Sequence, residues 1–261
     1  PFPAAYRDFD GDEERATRVC LEHLERLFEQ QIPPDRVAAF LIEPVQGEGG
    51  YVPAPVAFLQ GLRELATRHG IVLIVDEVQS GYGRTGAMWA FEHAGIVPDV
   101  VLAAKAIANG MPLAALVSAR ELQERWGLGA HGSTYGGNPV SCAAGIAVLE
   151  VIREGGLVAN AAARGDELTR GLQALAVEDS RIGDVRGPGL MIGVEMIKDP
   201  GASRDVALGS ALSQACAERG LLVLTCGAGN VVRWIAPLDV ERTEIEEALG
   251  IFQEALLATT A

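Results

Sequence analysis

Two short apolar runs with one helical stripe between them decide most of what this chain can fold into. The runs are VAAFLI at residues 37–42 and IVLIV at 71–75. Both are short, β-branched and apolar on both faces, the pattern of a strand buried in a parallel sheet. Between them, residues 55–69 carry Phe58, Leu59, Leu62, Leu65 and Ala66 at helical spacing, and Gly70 supplies the stop. A strand, a helix and a strand with short connections predict a right-handed parallel unit. Residues 100–103 and 113–118 read as two further strands, and 138–153 and 158–175 as helices. Ahead of them a helix spans 13–30, with Val19, Cys20, Leu24, Leu27 and Phe28 on one stripe and Pro33 and Pro34 beyond its end. The pattern then changes. Residues 184–195 read as a glycine-broken strand, 205–219 as a helix, 221–225 and 231–235 as strands, and 241–257 as a closing helix. The expected class is α/β. A large, mostly parallel domain covers 1–152, and a smaller α+β domain covers 153–261.

Charge and cysteine usage narrow the function classes. A formal net charge of −14 over 261 residues argues against nonspecific binding to nucleic acid or anionic membranes, both of which need basic patches. No apolar run reaches the roughly 20 residues of a membrane span, and no leader pattern opens the sequence. Cys20, Cys142, Cys216 and Cys226 are far apart and form no CxxC pair, which reads as reduced thiols in a cytoplasmic protein. His23, His69, His93 and His131 do not join them at metal-ligand spacing, so no metal site is expected. The chain opens PFPAAYRDFDG without methionine, as a fragment entering a fold already in progress would.

Chemistry concentrates where the strands end. IVLIV runs into Asp76, Glu77 and Gln79, and ligands of open parallel sheets gather at the carboxyl ends of strands. Asp76 alone could equally be a helix cap or the partner of a local arginine such as Arg84. Lys105 follows the next apolar run, embedded among Ala103, Ala104, Ala106 and Ile107. Alone it could be a lysine snorkelling from a surface turn, or a desolvated lysine of lowered pKa suited to Schiff-base chemistry. Together the two residues match the needs of pyridoxal phosphate (PLP): a lysine for the Schiff base and a carboxylate to keep the pyridine nitrogen protonated.

Longer stretches then carry a resemblance. IEPVQGEGGYVPAP from Ile42, LIVDEVQSGYGRTG from Leu73, AAKAIANGMPLAA from Ala103 and HGSTYGGNPVSCAA from His131 resemble the class III, fold-type I PLP-dependent aminotransferases. That group holds the 4-aminobutyrate, ornithine and acetylornithine enzymes. The likeness extends through DVRGPGLMIGVEM to CGAGNVVRWIAPL. It implies the aspartate aminotransferase-like fold and a set of roles. Lys105 is the Schiff-base lysine and proton carrier, and Asp76 the pyridinium partner. Val78 packs on the ring and Gln79 bonds its phenolic oxygen. Ser133 and Thr134 reach the cofactor phosphate of the other subunit of a homodimer with shared active sites. Arg233 grips the substrate carboxylate, a task suited to a guanidinium fork, and Glu48 pairs with Arg233 when an ω-amino substrate enters.

The implied activity is transfer of an amino group from an ω-amino acid, 4-aminobutyrate-like, to a keto acid such as 2-oxoglutarate. Racemisation or epimerisation and decarboxylation use the same cofactor machinery and remain alternatives. A noncatalytic fragment or pseudoenzyme is the alternative of another class. Family members carry an N-terminal part ahead of the equivalent of Pro1, with a phosphate-cradling glycine loop and an aromatic residue that stacks on the ring. Neither is found in this sequence.

Overall fold

The computed structural model describes residues 1–198 and 204–259. In chain order the elements are α1 (Ala5–Asp8), α2 (Glu13–Gln30), β1 (Ala39–Ile42), β2 (Val45–Gln46), β3 (Val52–Pro53), α3 (Val56–His69), β4 (Val72–Asp76), β5 (Val100–Ala103), β6 (Ala115–Ser118), α4 (Arg120–Gln123), α5 (Pro139–Glu154), α6 (Leu157–Glu178), β7 (Ile182–Arg186), β8 (Ile192–Met196), α7 (Val206–Ala217), β9 (Leu224–Cys226), β10 (Val231–Trp234) and α8 (Arg242–Ala258). The chain divides into two compact units. The first comprises Pro1–Pro44, Ala54–Tyr82 and Met88–Gly155; the second comprises Val45–Pro53, Gly83–Ala87 and Gly156–Ala261.

The first unit is built on a four-stranded sheet of order β1-β4-β5-β6. β1, β4 and β5 are parallel, as their apolar runs predict, and β6 is antiparallel to β5. The α3 helix buries Phe58, Leu59, Leu62, Leu65 and Ala66, the stripe read from the sequence. It ends where Gly70 turns left-handed at φ 67°, a conformation glycine enters without steric cost. Phe58, Leu59, Leu62 and Ala66 join Cys20, Leu73 and Val75 in one core. The helix from Glu13 is capped by Asp12, whose carboxylate accepts the Arg15 N–H at 2.8 Å. At the other end of the unit, Asn138 caps α5 by accepting Ser141 N–H at 2.9 Å.

The second unit has its own sheet, of order β7-β8-β10-β9, antiparallel throughout. The stretch 184–195 is not one broken strand. It lies within an antiparallel pair, β7 and β8, whose connection uses positive φ at Gly187 and Gly189. The α6, α7 and α8 helices cover one face, and Leu168, Leu172, Leu212, Phe252 and Trp234 meet there in a core. A smaller cluster of Val45, Tyr51, Met191, Cys226 and Val231 is formed with the β2–β3 hairpin. Among the described residues, no helix is long and apolar enough to cross a membrane, and no group of three or more His, Cys, Asp or Glu could hold a metal ion.

Candidate active site

The first unit brings Asp76 and Lys105 to the same end of its sheet. Asp76 closes β4 and pairs in register with Leu102 on β5. Lys105 lies just past the end of β5, at the start of a short 3-10 turn, Lys105–Ala108. Parallel neighbours end on the same side, so the two residues share the carboxyl edge of the sheet. Asp76 Oδ1 accepts the Val78 N–H at 3.0 Å, a local turn that fixes the carboxylate. Val78 and Gln79 follow in this turn and are half-buried.

Lys105 is exposed, because the small alanines around it cannot cover a four-carbon side chain. Of the two readings of Lys105 taken alone, this exposure matches the lysine at a surface turn. Its amine makes no hydrogen bond or ion pair among the described residues. Its backbone sits at φ 49°, and Asn109 at φ 42°. Left-handed non-glycine residues store strain and gather at functional sites.

Directly after Asp76 lies a group that the sequence reading passed over. Glu77 is 1% exposed. Its Oε2 accepts from Ser80 Oγ at 2.6 Å, and Oε1 accepts the Phe91 N–H at 2.9 Å. Burial pushes its carboxyl above the ordinary range, opposed by these hydrogen bonds. Glu77 thus ties the turn carrying Val78 and Gln79 to the segment at Phe91. The only sequence signal for it is a second acid directly after Asp76, past the end of the apolar run.

Ser133 and Thr134 lie in an exposed segment ahead of α5. Ser133 Oγ accepts the Gly136 N–H at 2.9 Å, a local turn.

The second unit brings Glu48 and Arg233 together. Arg233 projects from β10 and donates from Nη1 to Glu48 Oε1 at 2.7 Å. The arginine side chain is 18% exposed and the glutamate 71%. Burial lowers the Arg233 pKa, but the Glu48 carboxylate outweighs it and the net shift is upward. The Arg233 Nε is buried without a hydrogen-bond partner. Arg84, the alternative partner weighed for Asp76, donates to the carbonyl oxygens of Leu190 and Ala236 within the second unit.

The family follows from comparison. The model of the class III aminotransferases matches residues 2–256. The chain belongs to the class III aminotransferases. A 5-aminovalerate aminotransferase of Pseudomonas putida is 43% identical, the match covering 90% of this chain and 56% of the relative. A 4-aminobutyrate aminotransferase of Escherichia coli is 41% identical, covering 97% of this chain and 62% of the relative. Among solved structures, a PLP-bound amine transaminase from an uncultivated Pseudomonas species superposes with TM-score 0.91 at 32% identity, covering 99% of this chain and 61% of that one. The chain thus spans less than two thirds of the length of each of these proteins. The likeness supports the fold expected from sequence, α/β with a mostly parallel sheet in its larger part.

Proposed function

We propose that this chain carries the lysine-bearing part of a PLP-dependent aminotransferase that moves an amino group from an ω-amino acid to a keto acid such as 2-oxoglutarate. The observation that supports this best is the pairing of Asp76 and Lys105 at the ends of adjacent parallel strands. The residues fit the cofactor's needs. Asp76 keeps Oδ2 free of the local turn that occupies Oδ1, so it can hold a proton on a pyridine nitrogen. Lys105 offers an amine with no competing partner among the described residues. When bound, the cofactor supplies an electrophilic carbonyl and an electron-withdrawing ring. Lys105 would then take and return the proton at the substrate carbon that carries the amino group, a general acid–base role. In this reading Val78 packs on the ring, Gln79 bonds its phenolic oxygen, and Ser133 and Thr134 serve the phosphate in the partner subunit of a homodimer.

Substrate choice in this proposal belongs to the second unit. Arg233 presents a guanidinium fork to the carboxylate of a keto acid, with Glu48 swung away. When an ω-amino donor enters, Glu48 stays paired and masks the charge. The names of the relatives, 5-aminovalerate and 4-aminobutyrate aminotransferases, support an ω-amino donor. We further take residues 1–152 as the cofactor-binding domain and 153–261 as the small domain, with the segments Val45–Pro53 and Gly83–Ala87 belonging to the compact unit of the latter. The four unpaired cysteines support a reducing, cytoplasmic setting.

The test is an absorbance spectrum of the full-length protein with added PLP, before and after borohydride, followed by peptide mass mapping. The expected result is a bound-cofactor band and a reduced pyridoxyl label on Lys105. A folded protein with no band and no label at Lys105 overturns the proposal in favour of a noncatalytic chain. A labelled protein that racemises or decarboxylates its substrate without a keto acid overturns transamination alone.

A further inference from the structure

The second unit contains a buried polar network that no role above uses. Arg186, on β7, is 11% exposed. Its Nη1 donates to Asp184 Oδ2 at 2.8 Å and to Glu195 Oε2 at 2.6 Å. Glu195 is 2% exposed and also accepts at Oε1 from Asn230 Nδ2 at 3.1 Å. Buried charges persist when they are paired and hydrogen-bonded in this way. The other arm of the guanidinium leaves the sheet. Its Nη2 donates to the carbonyl oxygen of Gly50 at 2.7 Å.

Gly50 belongs to the tip of the β2–β3 hairpin, two residues from Glu48, and the sheet has a seat for that tip. On β8, Gly193 pairs in register with Arg186 on one side and Arg233 on the other. Paired residues of neighbouring strands face the same way, so the two arginines flank a glycine, about 10 Å apart across the sheet. A Cβ on Gly193 would fall 2.9 Å from Tyr51 Cβ and 3.3 Å from the Gly50 oxygen. The bare glycine is therefore what lets the hairpin tip settle between the arginines. Gly227 holds the tip from a second side, its N–H donating to the Glu48 carbonyl at 2.8 Å. Tyr51 is fully buried and held at φ 51°. The backbone is gripped at the carbonyls of Glu48 and Gly50, while the Glu48 side chain is 71% exposed.

We propose that Arg186, seated through Gly193, is the positioning residue for the Glu48–Arg233 pair: it clamps the hairpin backbone, so the pair opens and closes by rotation of the Glu48 side chain over a fixed main chain. The proposal rests on the reading of that pair as the selector between ω-amino donors and keto acids. A shorter lysine at 186 keeps a positive charge beside Glu195. It lacks the planar fork that reaches an acid and the Gly50 carbonyl at once.

The experiment uses the full-length, PLP-loaded protein with the variants Arg186→Lys, Gly193→Ala and Glu48→Gln. Amide hydrogen exchange is followed by mass spectrometry, and single-turnover rates are measured with 4-aminobutyrate and with L-glutamate. Circular dichroism confirms folding. In Arg186→Lys and Gly193→Ala, exchange across residues 47–51 is expected to rise about tenfold, the loss of one charge-assisted hydrogen bond. Exchange within α8 should not change. The preference for 4-aminobutyrate over L-glutamate should fall about tenfold through KM, with the limiting rate on L-glutamate kept. Exchange that rises in β7 and β8 but not in 47–51 overturns the clamp, since Arg186 then only stitches strands. Faster exchange at 47–51 with unchanged donor preference in both variants overturns the positioning role. If Glu48→Gln also leaves the preference unchanged, the selector reading fails as well, while the exchange result still judges the clamp. If Gly193→Ala does not fold, Arg186→Lys alone decides the outcome.

Discussion

The two units place their polar groups in opposite ways. In the first, Lys105 and Asp76 stand at the open ends of strands, the lysine exposed and without a partner among the described residues. In the second, Arg233 meets Glu48, and Arg186 meets Asp184, Glu195 and the Gly50 carbonyl. In the proposed roles, Lys105 and Asp76 keep bonds to spare for a cofactor, Arg233 is held by Glu48 until a substrate carboxylate takes its place, and Arg186 spends both terminal nitrogens on protein groups. The first arrangement costs little stability when a side chain is removed. The second costs more, because a buried partner is stranded.

Removing Lys105 should break this contrast most visibly. If Lys105 has the proposed role, Lys105→Ala lowers transamination by on the order of a thousandfold through the lost proton transfer. The midpoint of thermal unfolding should stay nearly the same, since the side chain is exposed. A large loss of stability would show that the first unit relies on Lys105 for its fold.

Gly165→Ala probes the opposite case. A Cβ at Gly165 on α6 would lie 2.2 Å from the Gly189 carbonyl oxygen, a backbone atom that cannot step aside. A loss of about 3 kcal/mol in denaturant unfolding is expected. A neutral result would mean that α6 shifts freely over the β7–β8 turn.

The Asp179–Arg181 pair gives the comparison a pH axis. Hydrogen bonds from Arg181 hold the Asp179 carboxyl below its ordinary value of 3.8, against an opposing effect of burial. A lowered folded pKa adds stability above the unfolded value, and this is lost as pH falls through the folded one. Asp179→Asn should therefore cost about 1–2 kcal/mol at pH 7, and progressively less as the pH falls below 3.8 through the lowered folded pKa. A cost that does not change with pH would leave the ion pair without a role.

The smallest effect belongs to the surface. Arg68 and Glu25 meet at 3.2 Å with both side chains at least half exposed. Arg68→Ala should change stability by about 0.5 kcal/mol or less, falling further in high salt.

Sequence alone reached much of the first unit and less of the second. The apolar runs of β4 and β5, the stripe on α3 and the stop at Gly70 are local signals, and the structure carries all of them. Asp76 and Lys105 were legible because each follows such a run. The β2–β3 hairpin was not, because its strands have two residues each and show no period. The β7–β8 pair was read as a single strand because its turn glycines look like interruptions of one run. Arg186 carried no signal at all. Of its partners, the one that reaches the hairpin is a main-chain oxygen 136 positions away in sequence, and a carbonyl looks the same in every residue.

The membership of residues 45–53 in the second unit has a consequence for how the protein is made. The ribosome delivers this hairpin before it delivers β7, β8 and β10, against which Tyr51 and Glu48 come to rest. At ordinary rates of synthesis the interval is on the order of ten seconds. During it, Tyr51 has no covering surface and the glycine-rich tip is an open loop hung on a growing chain. Closing so wide a loop is slow. A nascent chain stalled after Gly155 would display that tyrosine to solvent, and a chaperone that recognises uncovered aromatic side chains would find it there.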